Sequence, residues 1–185
     1  MSAKRSKYDR NEFELDPAAP VLIPATVNAD GVSLQRQIHD VIVRRLQPHL
    51  DARGSVMEAW DARWGIDDLP VTFTEVAMVR PGVVKGWVRH AKNTDRVVGV
   101  RGDLRWSLYD DREGSPTCGV LNHFVLGPRN PILLVIPIGV WHAAWNLSST
   151  EEAIFLNHPT RAYQHAEPDK ELLPLENDVI PYQFP

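Results

Sequence analysis

The sequence predicts an all-β fold, an antiparallel double-sheet jelly-roll barrel with few short helices. Three observations predict it. From residue 72 onward, short apolar-rich runs follow one another at the length of a strand, as expected for a sandwich or barrel. The gaps between them carry turn chemistry: Arg80-Pro81-Gly82, Arg101-Gly102-Asp103, Glu113-Gly114-Ser115-Pro116 and Gly127-Pro128-Arg129-Asn130-Pro131. Fifteen prolines against eleven glycines favour many turns over long helices.

The elements follow in order. Residues 1–18 are charged and poor in branched apolar side chains, which predicts an arm that is loose or lies on a partner. Ordered structure begins with the apolar run at 21–24. Residues 39–50 fit either a helix face or a strand through Val41, Val43 and Leu46, and their β-branched content favours a strand. Asp51-Ala52-Arg53-Gly54 reads as a turn. Strands are then predicted over 72–79, 83–90, 96–100, 104–109, 118–126, 132–136 and 152–156. In 104–109, Leu104, Trp106 and Leu108 alternate with Arg105, Ser107 and Tyr109, the pattern of a half-buried strand. The run 132–136 is apolar throughout, as in a strand covered on both faces. The predicted organisation is an N-terminal arm (1–18), a β-barrel (19–165) and a C-terminal extension (166–185) rich in proline and acid.

Composition narrows the function classes. The 185 residues suit one domain with a sizeable core, and the net charge of -4 gives no argument for nucleic acid or a membrane surface. The single cysteine, Cys118, excludes an intrachain disulfide and fits a reducing compartment. The basic, polar N-terminus is not a secretory signal, and no apolar run reaches the roughly 18 residues of a membrane helix. The expected location is cytoplasmic. Phosphate-binding loops, dinucleotide fingerprints and zinc C-x-x-C pairs are absent from the sequence.

Two spaced motifs carry the chemistry. Pro137-Ile138-Gly139-Val140-Trp141-His142-Ala143-Ala144-Trp145-Asn146 reads P-x-G-x-x-H-x-x-x-N. Upstream, Gly82 is followed by Val88, Arg89 and His90, then Asp95 and Gly102. These resemble the two signatures of the cupin barrel, with Val88 in place of the first histidine and Asp95 in place of the glutamate. Val88, His90 and Lys92 lie two apart, so they should share one strand face. His142 should approach from a neighbouring strand. Two imidazoles converging in an apolar cavity suit proton transfer or metal binding. No cofactor is expected. If a metal binds, its ligands are His90, Asp95 and His142, the set of two histidines and a carboxylate used for non-haem iron. Arg53 offers planar donors that suit a phosphate.

Taken together, these residues resemble the dTDP-4-dehydrorhamnose 3,5-epimerase family of sugar-nucleotide enzymes, from about residue 41 to 184. The resemblance rests on Asp51-Ala52-Arg53-Gly54 with Glu58, on Gly82-Val83-Val84-Lys85-Gly86, on Asp110 to Thr117 (D-x-R-x-x-S-P-T), on Ile136-Pro137-Ile138-Gly139-Val140-Trp141-His142, and on the stretch from Phe155 to Tyr163. It implies that Arg53 and Glu58 hold the nucleotide, and that Lys85 contacts phosphate. It implies that Arg96 stabilises an enolate, and that His142, Asn157 and Tyr163 contact the substrate. The family's base falls on Val88 and its tyrosine acid on Asn157, so His90 is the substitute base. The family aspartate that orients the base comes from a C-terminal segment with no evident counterpart here. The resemblance further implies a homodimer built at a sheet edge. Three readings stay open: a metal-independent epimerase or isomerase of a nucleotide-linked 4-keto-6-deoxy sugar, a non-catalytic ligand-binding module, and a metal-dependent dioxygenase or isomerase.

Overall fold

The computed structural model describes residues 25–31 and 33–185. The expected arm (1–18) and the apolar run at 21–24 lie outside the described residues. Two compact units are distinguished. One spans Gln37–Leu172, and the other comprises flanking residues, described over 25–31, 33–36 and 173–185. Within the described part of the second unit, 25–34 folds back on itself through a Val27–Ser33 bridge.

The larger unit holds every strand found among the described residues: β1 (Ile42–Arg45), β2 (His49–Asp51), β3 (Gly54–Val56), β4 (Glu75–Val79), β5 (Val84–Arg89), β6 (Asp95–Arg101), β7 (Leu104–Tyr109), β8 (Leu121–Leu126), β9 (Ile132–Ile136), β10 (Trp141–Asn146), β11 (Ala153–Asn157) and β12 (Glu171–Leu172). The helical content among the described residues is one 3₁₀ turn at Ala62–Trp64. It is capped by Asp61, whose carboxylate accepts the Arg63 N–H, and it ends at Gly65 with positive φ. No described helix is long and apolar enough to cross a membrane.

Ten of the strands form two five-stranded sheets, ordered β1-β9-β6-β11-β4 and β12-β5-β10-β7-β8, and β2 and β3 form a hairpin. All pairings are antiparallel. The expected all-β double-sheet architecture is therefore present. The main core lies between the sheets. Val97, Leu134, Ile136 and Phe155 come from the first, and Leu104, Trp106, Leu108 and Ala144 from the second. A second cluster covers the outer face of the first sheet, where Leu46, Val98, Leu133 and Val135 pack against Met57, Trp60, Trp64 and Ile66. Strand β9 divides between the two clusters. Ile132, Leu134 and Ile136 enter one, and Leu133 and Val135 the other. A strand buried on both faces reads as an unbroken apolar run for this reason.

Several expectations change. The strand expected over 118–126 begins at Leu121, because the motif from Asp110 to Thr117 locks a turn. The Asp110 carboxylate accepts from Arg112 Nε (2.8 Å), Ser115 Oγ (2.6 Å) and Thr117 Oγ1 (2.7 Å). Burial opposes its charge, but these hydrogen bonds outweigh burial and hold the carboxyl well below its usual range. Strand β7 alternates as expected, with Leu104, Trp106 and Leu108 in the core and Arg105 and Tyr109 partly exposed, but Ser107 on that second face is fully buried and bonded to His123 at 3.0 Å.

Candidate active site

A cleft of about 1220 Å³ opens between the sheets and under the segment that follows β11. Its lining includes Lys85, Val88, His90, Lys92, Asp95, Trp106, His142, Asn157 and Tyr163. Strand geometry explains the grouping. Asp95 and Val97 alternate inward on β6, as do His142 and Ala144 on β10. His142 pairs in register with Val88 of β5 and Leu108 of β7. The strands meet closely at Gly86, where φ is +134° and an added Cβ would lie 2.6 Å from the Ala143 Cβ and 2.8 Å from the His142 carbonyl. Only glycine permits that approach. The two sequence motifs also touch directly: the Gly139 N–H donates to the His90 carbonyl at 2.8 Å.

Three ionisable side chains converge at the cleft. Asp95 Oδ2 lies 3.2 Å from His142 Nε2 and 3.5 Å from His90 Nε2. The two imidazole centroids are 5.6 Å apart. Asp95 is buried, with 5% of its surface exposed. Its other oxygen accepts from Asn157 Nδ2 at 3.0 Å. Burial opposes the carboxylate, yet the His142 hydrogen bond, the nearby histidines and the Asn157 amide outweigh it, so the pKa lies below the usual range. Asp95 is thus a buried anion between two imidazoles.

The outer nitrogens of both rings are also engaged. His142 Nδ1 lies 3.1 Å from the Val140 carbonyl, and His90 Nδ1 meets the Asp169 carbonyl. A carbonyl only accepts, so each Nδ1 carries a proton and each Nε2 faces Asp95 and the cleft. Around this centre lie Trp106, 6.1 Å from His142 between ring centroids, and Phe155, 5.0 Å from Trp106. These apolar walls strengthen the charge interactions inside.

The structure brings His90, Asp95, His142, Asn157, Lys85, Lys92 and Tyr163 to one cleft. Arg96 is not among them, and its expected place beside a substrate carbonyl is corrected. Asp95 points inward, so its neighbour points outward. Arg96 is fully buried on the other face of β6, where Nε and Nη2 bond Asp67 at 3.0 and 2.5 Å. Its guanidinium stacks 4.2 Å over the Trp60 ring. It is a structural cation. Arg53 and Glu58 do not reach this cleft either. Arg53 sits on the exposed β2–β3 turn and pairs with Asp51 at 2.6 Å, and Glu58 is exposed just beyond β3.

Asp169 joins this site although it belongs to no sequence motif. Its carbonyl accepts from His90, and its carboxylate takes the N–H groups of Ala91 and Lys92 at 2.8 Å each. No motif announced it, because its contact with the ring runs through the main chain.

His90, Asp95 and His142 also place three ligand atoms within 4.8 Å of one another, a donor set that suits a divalent transition metal.

Comparison with known proteins follows the same lines. A family model described as dTDP-4-dehydrorhamnose 3,5-epimerase matches residues 35–179. The probable low-salt glycan biosynthesis epimerase of Haloferax volcanii is 37% identical over 140 residues, 75% of this chain and 89% of that protein. A spore coat polysaccharide biosynthesis protein of Bacillus subtilis is 31% identical over 149 residues, 80% of this chain and 96% of that one. The crystal structure of a dTDP sugar isomerase from Desulfovibrio desulfuricans superposes with a TM-score of 0.73 at 26% identity, covering 79% of this chain and 91% of that one.

Proposed function

This chain belongs to the dTDP-4-dehydrorhamnose 3,5-epimerase family, and from that premise we propose that His90 moves a proton on a carbon beside the ketone of a nucleotide-linked 4-keto-6-deoxy sugar. The observation that carries this reading is the Asp95 carboxylate, buried between His90 and His142 at 3.5 and 3.2 Å. His142 is held at both nitrogens by acceptors, Val140 and Asp95. Both contacts are hydrogen bonds when the ring carries both protons. His90 has one nitrogen committed to Asp169, and its Nε2 stands beyond hydrogen-bond distance from Asp95. That lone pair is available as a general base. When it takes a proton, the new imidazolium faces Asp95 and is stabilised by it.

Lys85, Lys92, Arg161 and Lys170 are the lysines and arginines lining the cleft. They take the role first expected of Arg96 and Arg53. In this reading Lys85 contacts phosphate, as the family resemblance implies, and a cation among Lys92, Arg161 and Lys170 stabilises the enolate. Tyr163, also on the lining and half exposed, covers the ligand at the mouth. The test is solvent deuterium exchange at the carbons flanking the ketone of dTDP-4-keto-6-deoxy sugars. Incorporation above background is expected. Its absence with every such sugar would remove the reading.

The protein acts as a homodimer in this proposal. Edge strands β1 and β4 expose Ile42, Val43, Val76 and Met78, and the β2–β3 hairpin exposes Leu50 and Val56 at 79% and 69%. Open edges and apolar patches of this kind call for cover. A second copy that covers the hairpin also finds Arg53 and Glu58 beside it. Sedimentation equilibrium tests this, with a dimer expected and a monomer contrary.

A second reading rests on the same three side chains as metal ligands. A bound divalent ion would supply a Lewis acid that polarises the substrate carbonyl. Elemental analysis of protein purified without chelator decides between them: one equivalent of a transition metal supports the second reading, and none supports the first.

A further inference from the structure

The segment after β11 lines the cleft with Arg161, Tyr163, Gln164 and Glu167, and both of its ends rest on one turn, residues 91–94 between β5 and β6. At its start, the Thr160 N–H donates to the Thr94 carbonyl at 3.1 Å and Thr160 Oγ1 accepts the Thr94 N–H at 3.0 Å. At its end, the Asp169 carboxylate accepts the Ala91 and Lys92 N–H groups. Among the described residues, 162–168 make no hydrogen bond to the barrel, and Glu167 meets it through an ion pair with Lys92 at 3.8 Å. Close ends and a free middle are the build of a surface loop that carries function.

Asn93 ties the first anchor to the centre of the site. Its Nδ2 donates to Asp95 Oδ1 at 3.1 Å, and its Oδ1 accepts from Thr160 Oγ1 and from the Arg161 N–H, each at 3.1 Å. Chemistry settles which way the amide points. A carboxylate only accepts and a main-chain N–H only donates, so the NH₂ faces Asp95 and the oxygen faces Arg161. Arg161 is the last residue held before the free stretch. Its side chain is exposed, and its guanidinium has no partner among the described residues.

We propose that Asn93 is a positioning residue that holds Arg161 over the cleft as a ligand for the substrate's diphosphate. This rests on the substrate being a nucleotide-linked sugar. The sugar reacts beside buried Asp95, whereas Arg161 is exposed, as a contact to the outward-lying phosphates should be. A guanidinium presents a planar fork of donors that matches pairs of phosphate oxygens. Lys92, two residues from His90, and Lys170, next to Asp169, remain for the enolate. A long side chain on a loose main chain would lose affinity to the ordering of both. Asn93 orders the main chain in advance.

The experiment is calorimetric titration of the full chain with dTDP, read as a double-mutant cycle. Arg161→Gln is expected to weaken binding about tenfold or more, the loss of a charge-assisted hydrogen bond. Asn93→Ala is expected to weaken it about fivefold alone, and less than about twofold in the Arg161→Gln background, because its effect runs through the arginine. In kinetics Arg161→Gln raises KM about tenfold, with kcat within about threefold. Wild-type affinity in Arg161→Gln overturns the proposal, as does a loss confined to kcat. An Asn93→Ala penalty of equal size in both backgrounds also overturns it. Hydrogen exchange of the wild type needs no variant to fold: the Arg161 amide should be protected while those of 162–167 exchange fast, and an Arg161 amide as fast as its neighbours removes the positioning role. Failure of the wild type to bind dTDP overturns the proposal together with the reading it rests on, whereas dTDP binding that ignores Arg161 overturns the proposal alone.

Discussion

Asp95 on β6 and His142 on β10 belong to different sheets, and their side chains meet at 3.2 Å in the interior between them. This contact joins the two sequence motifs across the barrel. It places an anion where the protonated imidazoles of the reaction need one.

Asp95→Asn keeps the shape of the side chain and removes its charge. Both imidazoles then lose their counter-ion, and protonating His90 becomes harder. Deuterium exchange is expected to fall by about 100-fold or more, the usual contribution of an acid–base group. Exchange at the wild-type rate would take Asp95 out of the mechanism.

Arg96 makes the opposite prediction. It is fully buried, bonded to Asp67 and stacked on Trp60. Removing one partner of a buried pair typically costs 3–5 kcal/mol, and the partial exposure of Asp67 puts Arg96→Met near the lower end, about 3 kcal/mol. Urea unfolding measures the loss. The variant that remains folded at low temperature exchanges deuterium within a few-fold of the wild type. A stable protein with abolished exchange would return Arg96 to the chemistry.

The pH dependence of stability has a marked source in His123. Burial, with a smaller contribution from Arg105, lowers its pKa to about 4. The unfolded chain binds this proton near pH 6.5, and the folded chain does not. Stability therefore falls as pH drops from about 6.5 to 4, with a slope approaching 1.4 kcal/mol per pH unit from this group. His123→Gln retains a hydrogen-bonding partner for Ser107 and removes the titration. Urea midpoints across that window should flatten in the variant, and an unchanged slope would contradict the assignment.

Gly86→Ala tests how β5 positions β10. The new methyl meets Ala143 and the His142 carbonyl at 2.6 and 2.8 Å, from a backbone at φ +134°. A loss of about 2 kcal/mol or more is expected, together with slower exchange as His142 moves. A thermal melt and an exchange assay matching the wild type would show that the strands part freely here.

The fold was legible where local pattern and burial agree. Ile132–Ile136 is apolar throughout because both of its faces are covered. His90, Asp95 and His142 were legible through spacing, since strand periodicity sets which residues share a face. Arg96 was expected at the substrate through the family resemblance alone, whereas the strand period that turns Asp95 into the cleft turns Arg96 to the opposite face. Its true partners, Trp60 and Asp67, lie far away in the chain. Residue 118 was misread as strand because side-chain bonds to Asp110 hold the preceding turn. Asp169 left no trace, because a main-chain carbonyl acts the same in any residue.

The central claim is that His90, poised beside Asp95, carries the proton. Solvent deuterium incorporation next to the ketone of a dTDP-4-keto-6-deoxy sugar, compared between wild type and His90→Gln, tests it most directly. The account predicts incorporation by the wild type and a loss of at least about 100-fold in the variant. Equal incorporation by both proteins would contradict it.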